Sequence, residues 1–172
     1  AGCPTGTTII VRNLFYNTPA RMKFLKKDYT EAGYIEDMLN RLALSHPEIS
    51  FKLIHNGKEV LFTAGDGDLL NCVYSVYGKE VGKAMTPVHF EELPVRVSGL
   101  AGRGEIARPN RNMQNFFING RYIKSPLLSR AAEDAYKNEL MTGKFPVCVL
   151  SVCIDPSLVD INVHPTKLEA KF

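Results

Sequence analysis

Residues 49–64 read ISFKLIHNGKEVLFTA, two short runs rich in β-formers and aliphatics on either side of Asn56-Gly57. Asn-Gly readily takes the positive backbone angles of a two-residue hairpin turn, so Ile49–His55 and Glu59–Ala64 are expected to pair antiparallel. An all-helical chain is thereby excluded. Upstream, Asp28 followed by Glu31 resembles a capping box, and Ile35, Met38, Leu39 and Leu42 fall at the spacing of one buried helical stripe. That helix should stop before Pro47. Earlier still, Gly6–Leu14 (GTTIIVRNL) is expected as a strand, and Thr18 as the N-cap of a short basic helix, Pro19–Lys27.

Downstream of the hairpin, Gly65-Asp66-Gly67 is a turn and Asp68 caps a helix through Tyr77, followed by another short helical turn at Val81–Met85. Strands are expected at Val88–Glu91, Val95–Leu100, Phe116–Ile118, Pro146–Ile154 and Val159–Val163. Gly102–Asn115 (GRGEIARPNRNMQN) has no periodicity and reads as an exposed basic loop; Asn119-Gly120 turns, and Ser125 caps a helix to about Leu140. The order β-α-α-β-β-α-β-β-β-α-β-β gives an α+β class with helices packed on one face of a mixed sheet.

The chain has 172 residues, 45% hydrophobic and 23% charged, with 21 Lys and Arg against 18 Asp and Glu. Collagen-like, disordered and disulfide-scaffold classes are excluded, while the net charge of +3 permits a polyanionic partner without requiring one. No apolar run approaches the ~20 residues that span a bilayer, and AGCPTGTTII lacks the order of a secretory signal, so a cytoplasmic protein without membrane contact is expected. Cys3, Cys72, Cys148 and Cys153 form no C-x-x-C pair and read as reduced core thiols.

His46, His55, His89 and His164 are scattered without ligand spacing, so no metal site is expected. No G-x-S-x-G, Walker or G-x-G-x-x-G motif opens a helix. The chain therefore carries no self-contained phosphate cradle. Two groups of cations are candidates for nucleic-acid contact: Arg21, Lys23, Lys26 and Lys27 near the start, and Arg103, Arg108, Arg111, Arg121 and Lys124 in the second half. Lys167 follows His164-Pro165, where proline ends ladder pairing and leaves a lysine on a fixed turn.

Three stretches carry a resemblance. GTTIIVRNLFYNTPARMKFL (6–25), FFINGR (116–121) and VDINVHPTKLEAKF (159–172) resemble the ordered signatures of the MutL DNA mismatch repair family. The resemblance implies a piece of a longer protein: the tail of a GHKL-type ATPase domain over 1–27, and over 28–172 a transducer domain like the second domain of ribosomal protein S-five, with a left-handed βαβ crossover. The lysine of the family's H-P-x-K ending reaches the γ-phosphate in the ATP site of the other half; here it is Lys167. Thr7 falls at the position of the Gly-Thr pair beside the adenine pocket. Some bacterial relatives place a DNA-contacting arginine where this chain has Pro126, so that contact is not carried over.

The same resemblance implies ATP and magnesium as cofactors of the full-length protein, with neither bound to this piece, which should not hydrolyse ATP alone. Implied partners are DNA, a second family chain in a homodimer or heterodimer, and mismatch-recognition proteins of the MutS type. The implied location is cytoplasmic and nucleoid-associated in a bacterium, nuclear in a eukaryote. The alternative is a nucleic-acid-binding or structural module that shares the fold without nucleotide coupling.

Overall fold

The computed structural model describes residues 5–159. The expected strand beyond Val159, the His164-Pro165 turn, Lys167 and Cys3 lie outside them. The chain divides into two compact units, Ala1–Ile35 and Glu36–Phe172.

In the first unit the expected strand at Gly6–Leu14 is absent, and the segment is irregular, with Ile9, Ile10 and Val11 at 81%, 69% and 70% exposure. β-Branched residues favour a pleated surface but do not make one; a strand needs a ladder neighbour, and the described residues offer this segment none. Helix α1 spans only Pro19–Met22, and Thr18 makes no side-chain cap. The expected run to Lys27 fails because one uncapped turn leaves helix nucleation uncompensated, and Arg21, Lys23, Lys26 and Lys27 repel one another.

Helix α2 (Asp28–Ser45) ends ahead of Pro47, as expected. Glu31 does reach back, but its Oε1 accepts from the backbone amide of Lys26 at 2.7 Å, so the reciprocal box around Asp28 is not formed. Its expected stripe is not the buried face. Ile35, Met38 and Leu42 are exposed, whereas Ala43 and Leu44 are buried, because periodicity marks an apolar face without supplying the surface that covers it.

In the second unit β1 (Lys52–His55) and β2 (Lys58–Phe62) form the expected antiparallel hairpin, with positive φ at both Asn56 and Gly57. Asp68 caps α3 (Leu69–Tyr77) by accepting from the Leu70 amide at 2.8 Å, and α4 (Lys79–Lys83) follows. Five further strands build a mixed sheet: β3 (Met85–Glu92), β4 (Val95–Gly102), β5 (Gln114–Ile118), β6 (Arg121–Ile123) and β7 (Cys148–Ile154), ordered β3-β4-β7-β5-β6. Among the described strands only β5 and β7 run parallel. Between β6 and β7 lies α5 (Pro126–Ala135), capped by Ser125 Oγ, which accepts from the Leu128 amide. It ends before the expected Leu140, the chain continuing in turns closed by amides that bond three or four residues back.

The register decides which side chains share a face. Leu100 stands opposite Val149, and Phe117 opposite Tyr122; these residues pack with Ala43 and Leu44 of α2, Cys72 and Val73 of α3 and Val81 of α4. Val97 and Ile118 flank Val152 on the reverse face, where Ile123 and Leu128 of α5 join them. Helices thus cover both faces, and the expectation of a single covered face is corrected. The central strand β5 is buried along its whole length, including Gln114 and Asn115, which sequence polarity assigned to the exposed loop. Asn115 is accommodated because its Nδ2 donates to Tyr77 Oη at 2.6 Å.

Cys148 and Cys72 are core thiols, but Cys153, five residues on and facing the other way, is exposed. Burial pushes the Cys72 thiol up to about 11 and Cys148 up to about 12. Alkylation of the native protein at pH 8, mapped by mass spectrometry, should therefore mark Cys153 among these three and leave Cys72 and Cys148 unmodified until denaturation. Equal labelling of Cys148 would contradict the packing described.

Candidate nucleic-acid interface

A groove of about 690 Å³ runs between β6 and the start of α5, with Arg41 of α2 on one wall. Two local features place its side chains. The Asn119-Gly120 turn, both residues at positive φ, folds β6 back on β5 and directs the chain through Lys124. Ser125 and Pro126 then open α5, so that Ser129, Arg130 and Glu133 succeed one another along the groove by helical spacing.

Four cations, Arg41, Arg111, Lys124 and Arg130, line the groove against two carboxylates, Glu133 and Asp134. They are not equivalent. Arg111 is committed: its Nε and Nη2 donate to Glu133 at 2.6 and 2.9 Å, and its guanidinium lies 4.5 Å above the Phe145 ring. That hydrogen bonding outweighs burial, which acts the other way, and holds the Glu133 carboxyl below its ordinary range, while the hydrogen bond to Glu133 holds the Arg111 guanidinium above its own. The pair is an internal strut. Arg130 sits 3.9 Å from Asp134, an exposed contact of little strength. Arg41 lies 4.5 Å over the Tyr122 ring, which aligns a charge without neutralising it. Lys124 is exposed and carries no ion pair among the described residues.

The expected second group of cations is thus only partly assembled. Arg111 and Lys124 reach the groove. Arg103 instead pairs with Glu105 at 3.0 Å and donates to the Lys83 carbonyl; the backbone of Arg108 is tied both ways to Phe145; and Arg121 lies exposed on β6. Arg21, Lys23, Lys26 and Lys27 are all exposed in the first unit, and Thr7 is exposed in its irregular segment. Sequence reasoning missed Arg41 and Arg130. Arg130 had a signal, its position one turn into a capped helix whose first residues follow a basic turn; Arg41 had none, since only the tertiary fold brings residue 41 beside Tyr122.

Among the described residues no group of His, Cys, Asp and Glu could hold a metal ion, and no helix is long and apolar enough to cross a membrane.

Residues 73–172 match the family described as DNA mismatch repair protein, C-terminal domain. The DNA mismatch repair protein MutL of Agathobacter rectalis is 50% identical over 171 residues, 99% of this chain and 26% of that protein, and the MutL of Geobacillus sp. is 46% identical over 167 residues, 97% and 27%. The chain thus spans about a quarter of the length of these curated relatives. Among solved structures, the N-terminal domain of a DNA repair protein superposes with a TM-score of 0.74 at 22% identity, covering 92% of this chain and 53% of that one, which shows the fold. The Aquifex aeolicus MutL ATPase domain complexed with ADP superposes at 0.65 and 27% identity, covering 85% and 52%. With the family match over residues 73–172 and near-half identity along almost its whole length, the chain belongs to the MutL DNA mismatch repair family.

Proposed function

We propose that this chain is the part of a MutL-type mismatch repair protein that completes an ATP site built by another part of the same protein and holds DNA by its phosphates. The observation that carries the DNA reading is the groove, where Arg41, Lys124 and Arg130 present charge while Glu133 is neutralised by Arg111. Phosphate contacts of this kind position a duplex without reading its sequence.

The nucleotide reading rests on the family. A relative's ATPase domain is complexed with ADP, and the exposed Ile9-Ile10-Val11 run, β-forming but without a ladder neighbour among the described residues, suits pairing with a sheet supplied by the rest of an ATPase domain. In this reading residues 1–27 are the tail of that ATPase domain and 28–172 the transducer, an S-five-like fold with a left-handed crossover. Bound ATP with magnesium supplies the phosphoryl group. Lys167 brings an ammonium to the γ-phosphate, where it offsets charge developing in the transition state, and the exposed hydroxyl of Thr7 faces the adenine side. Neither residue supplies a metal ligand. Because the Lys167 contact exists only when the two parts close, nucleotide state is relayed to dimerisation and to partner repair proteins of the MutS type in the cytoplasm.

The DNA reading is tested by titrating the intact protein with a duplex of arbitrary sequence at several salt concentrations. Lys124→Ala should weaken binding alike for unrelated sequences and reduce the slope of log affinity against log salt by about 1. An unchanged slope would remove Lys124 from the interface.

A further inference from the structure

The face of the sheet that carries α2 and α3 is not closed completely. A hollow of about 240 Å³ opens there, floored by the buried Leu44, Phe117 and Val149, with the partly exposed Pro47, Leu69, Ser98 and Ser151 around its mouth. It shares no residue with the groove beside α5. A cavity of about 150 Å³ holds a benzene ring, whereas sites for whole small molecules run from about 300 Å³ upward, so the hollow has room for one large apolar side chain. A side chain seated in such a pocket and ringed by weaker contacts is the usual anchor of a protein partner.

The rim selects the charge of that partner. Glu48 follows Pro47, and the Gly67 amide donates to the Pro47 carbonyl at 3.1 Å, which brings Asp66 to the same edge. Asp66 accepts from the Asp68 amide at 3.0 Å and from Asn71 Nδ2 at 2.8 Å, and these bonds hold its carboxyl below the ordinary range. Glu48 is held low by its own backbone amide and then by His46 Nδ1, 3.0 Å away. Neither carboxylate is paired with a lysine or arginine among the described residues. Asp68 is set aside, because its charge is used in capping α3. Helix α2, 18 residues long, also ends beside the hollow with no basic residue in its last turn, so its negative end adds to the rim. Phosphate is repelled here, in contrast with the groove, and an ammonium or guanidinium is attracted. We infer that the hollow docks a partner protein through a short basic segment. One leucine-sized side chain enters between Leu69 and the cross-strand pair Ser98–Ser151, and flanking Lys or Arg residues lie against Glu48, Asp66 and the end of α2. The phosphate reading of the groove and this docking site stand or fall separately.

The probe is the acetylated, amidated peptide Lys-Lys-photoleucine-Lys-Lys, whose diazirine marks what the anchor touches. Irradiated with the intact protein, it should label positions 45–47, 69, 98 and 151, as mapped by mass spectrometry. Unlabelled Lys-Lys-Leu-Lys-Lys should block that labelling at ~10-fold lower concentration than Lys-Lys-Ala-Lys-Lys, and Glu-Glu-Leu-Glu-Glu should not block it. Glu48→Gln should weaken binding about 2-fold, and Ser151→Leu, with circular dichroism confirming the fold, should end labelling by filling the hollow. Equal blocking by the leucine and alanine peptides would overturn the anchor, and equal blocking by the acidic peptide would overturn the choice of charge; neither result needs a variant to fold. Labelling that falls elsewhere on the protein, or that survives Ser151→Leu, would overturn the site. If no peptide labels the hollow and Ser151→Leu instead turns a dimer of the intact protein into monomer in sedimentation velocity, the occupant is a second copy of this chain and the proposal fails.

Discussion

Replacing Lys167 by alanine in the intact protein should lower ATP turnover about 100-fold while leaving the melting temperature nearly unchanged. The magnitude follows from the position proposed for the ammonium. A preorganised cation at a transferring phosphoryl group contributes on the order of 3 kcal/mol in the transition state, which is about two decades in rate. If the contact strengthens only as charge develops, kcat and kcat/KM should fall together; a rise in KM alone would mean that Lys167 only helps to hold the nucleotide. Unaltered turnover would favour the rival reading, a module of the same fold with no part in the ATP site.

The second large effect is on folding. Gly99 lies inside β4 with φ at +140°, and a Cβ there would press into the Val149 carbonyl oxygen and stand 3.1 Å from Leu150 Cα, both on the neighbouring strand β7. Backbone gives way less readily than a side-chain tip. Gly99→Val therefore adds backbone strain and overpacking between β4 and β7, together about 4 kcal/mol, a large share of the ~5–15 kcal/mol that stabilises a domain. A shift of that size should be plain in the urea midpoint. Gly33→Ala is the matched control: an added Cβ meets nothing within 4 Å on α2, so the change should be neutral or stabilising by up to about 1 kcal/mol. A Gly99→Val protein within about 1 kcal/mol of wild type would contradict the close approach of β4 and β7.

What the sequence conveyed was local chemistry. Asn56-Gly57 and Asn119-Gly120 turn where expected because an Asn-Gly pair takes two positive φ values at little strain, and Asp68 and Ser125 cap the helices they precede. Properties that depend on a partner surface were not legible. Ile9-Ile10-Val11 has the composition of a strand and no ladder neighbour among the described residues; Ile35, Met38 and Leu42 have the spacing of a buried face and remain exposed. Which sheet face each helix covers depends on register, as Phe117 and Ile118, adjacent in sequence, belong to opposite cores.

The candidate site divides in the same way. Lys124 was visible beside its turn and Lys167 through a family motif, but Arg111 was read as a free cation when it is tied to Glu133 and Phe145. Glu133 lies on α5 and Arg111 ahead of β5, so no sequence spacing announces their pairing. Gln114 passed for a loop residue because polarity signals exposure on average, and its burial follows only from the strands that flank β5.

Hydrogen exchange of the intact protein with and without duplex DNA tests the groove most directly, since it locates the contact instead of inferring it from affinity. DNA should slow amide exchange in the segment from Tyr122 through Arg130, including the first turn of α5, and leave the β1–β2 hairpin unchanged. Protection confined to the hairpin or to β3, with residues 122–130 exchanging as before, would contradict the account.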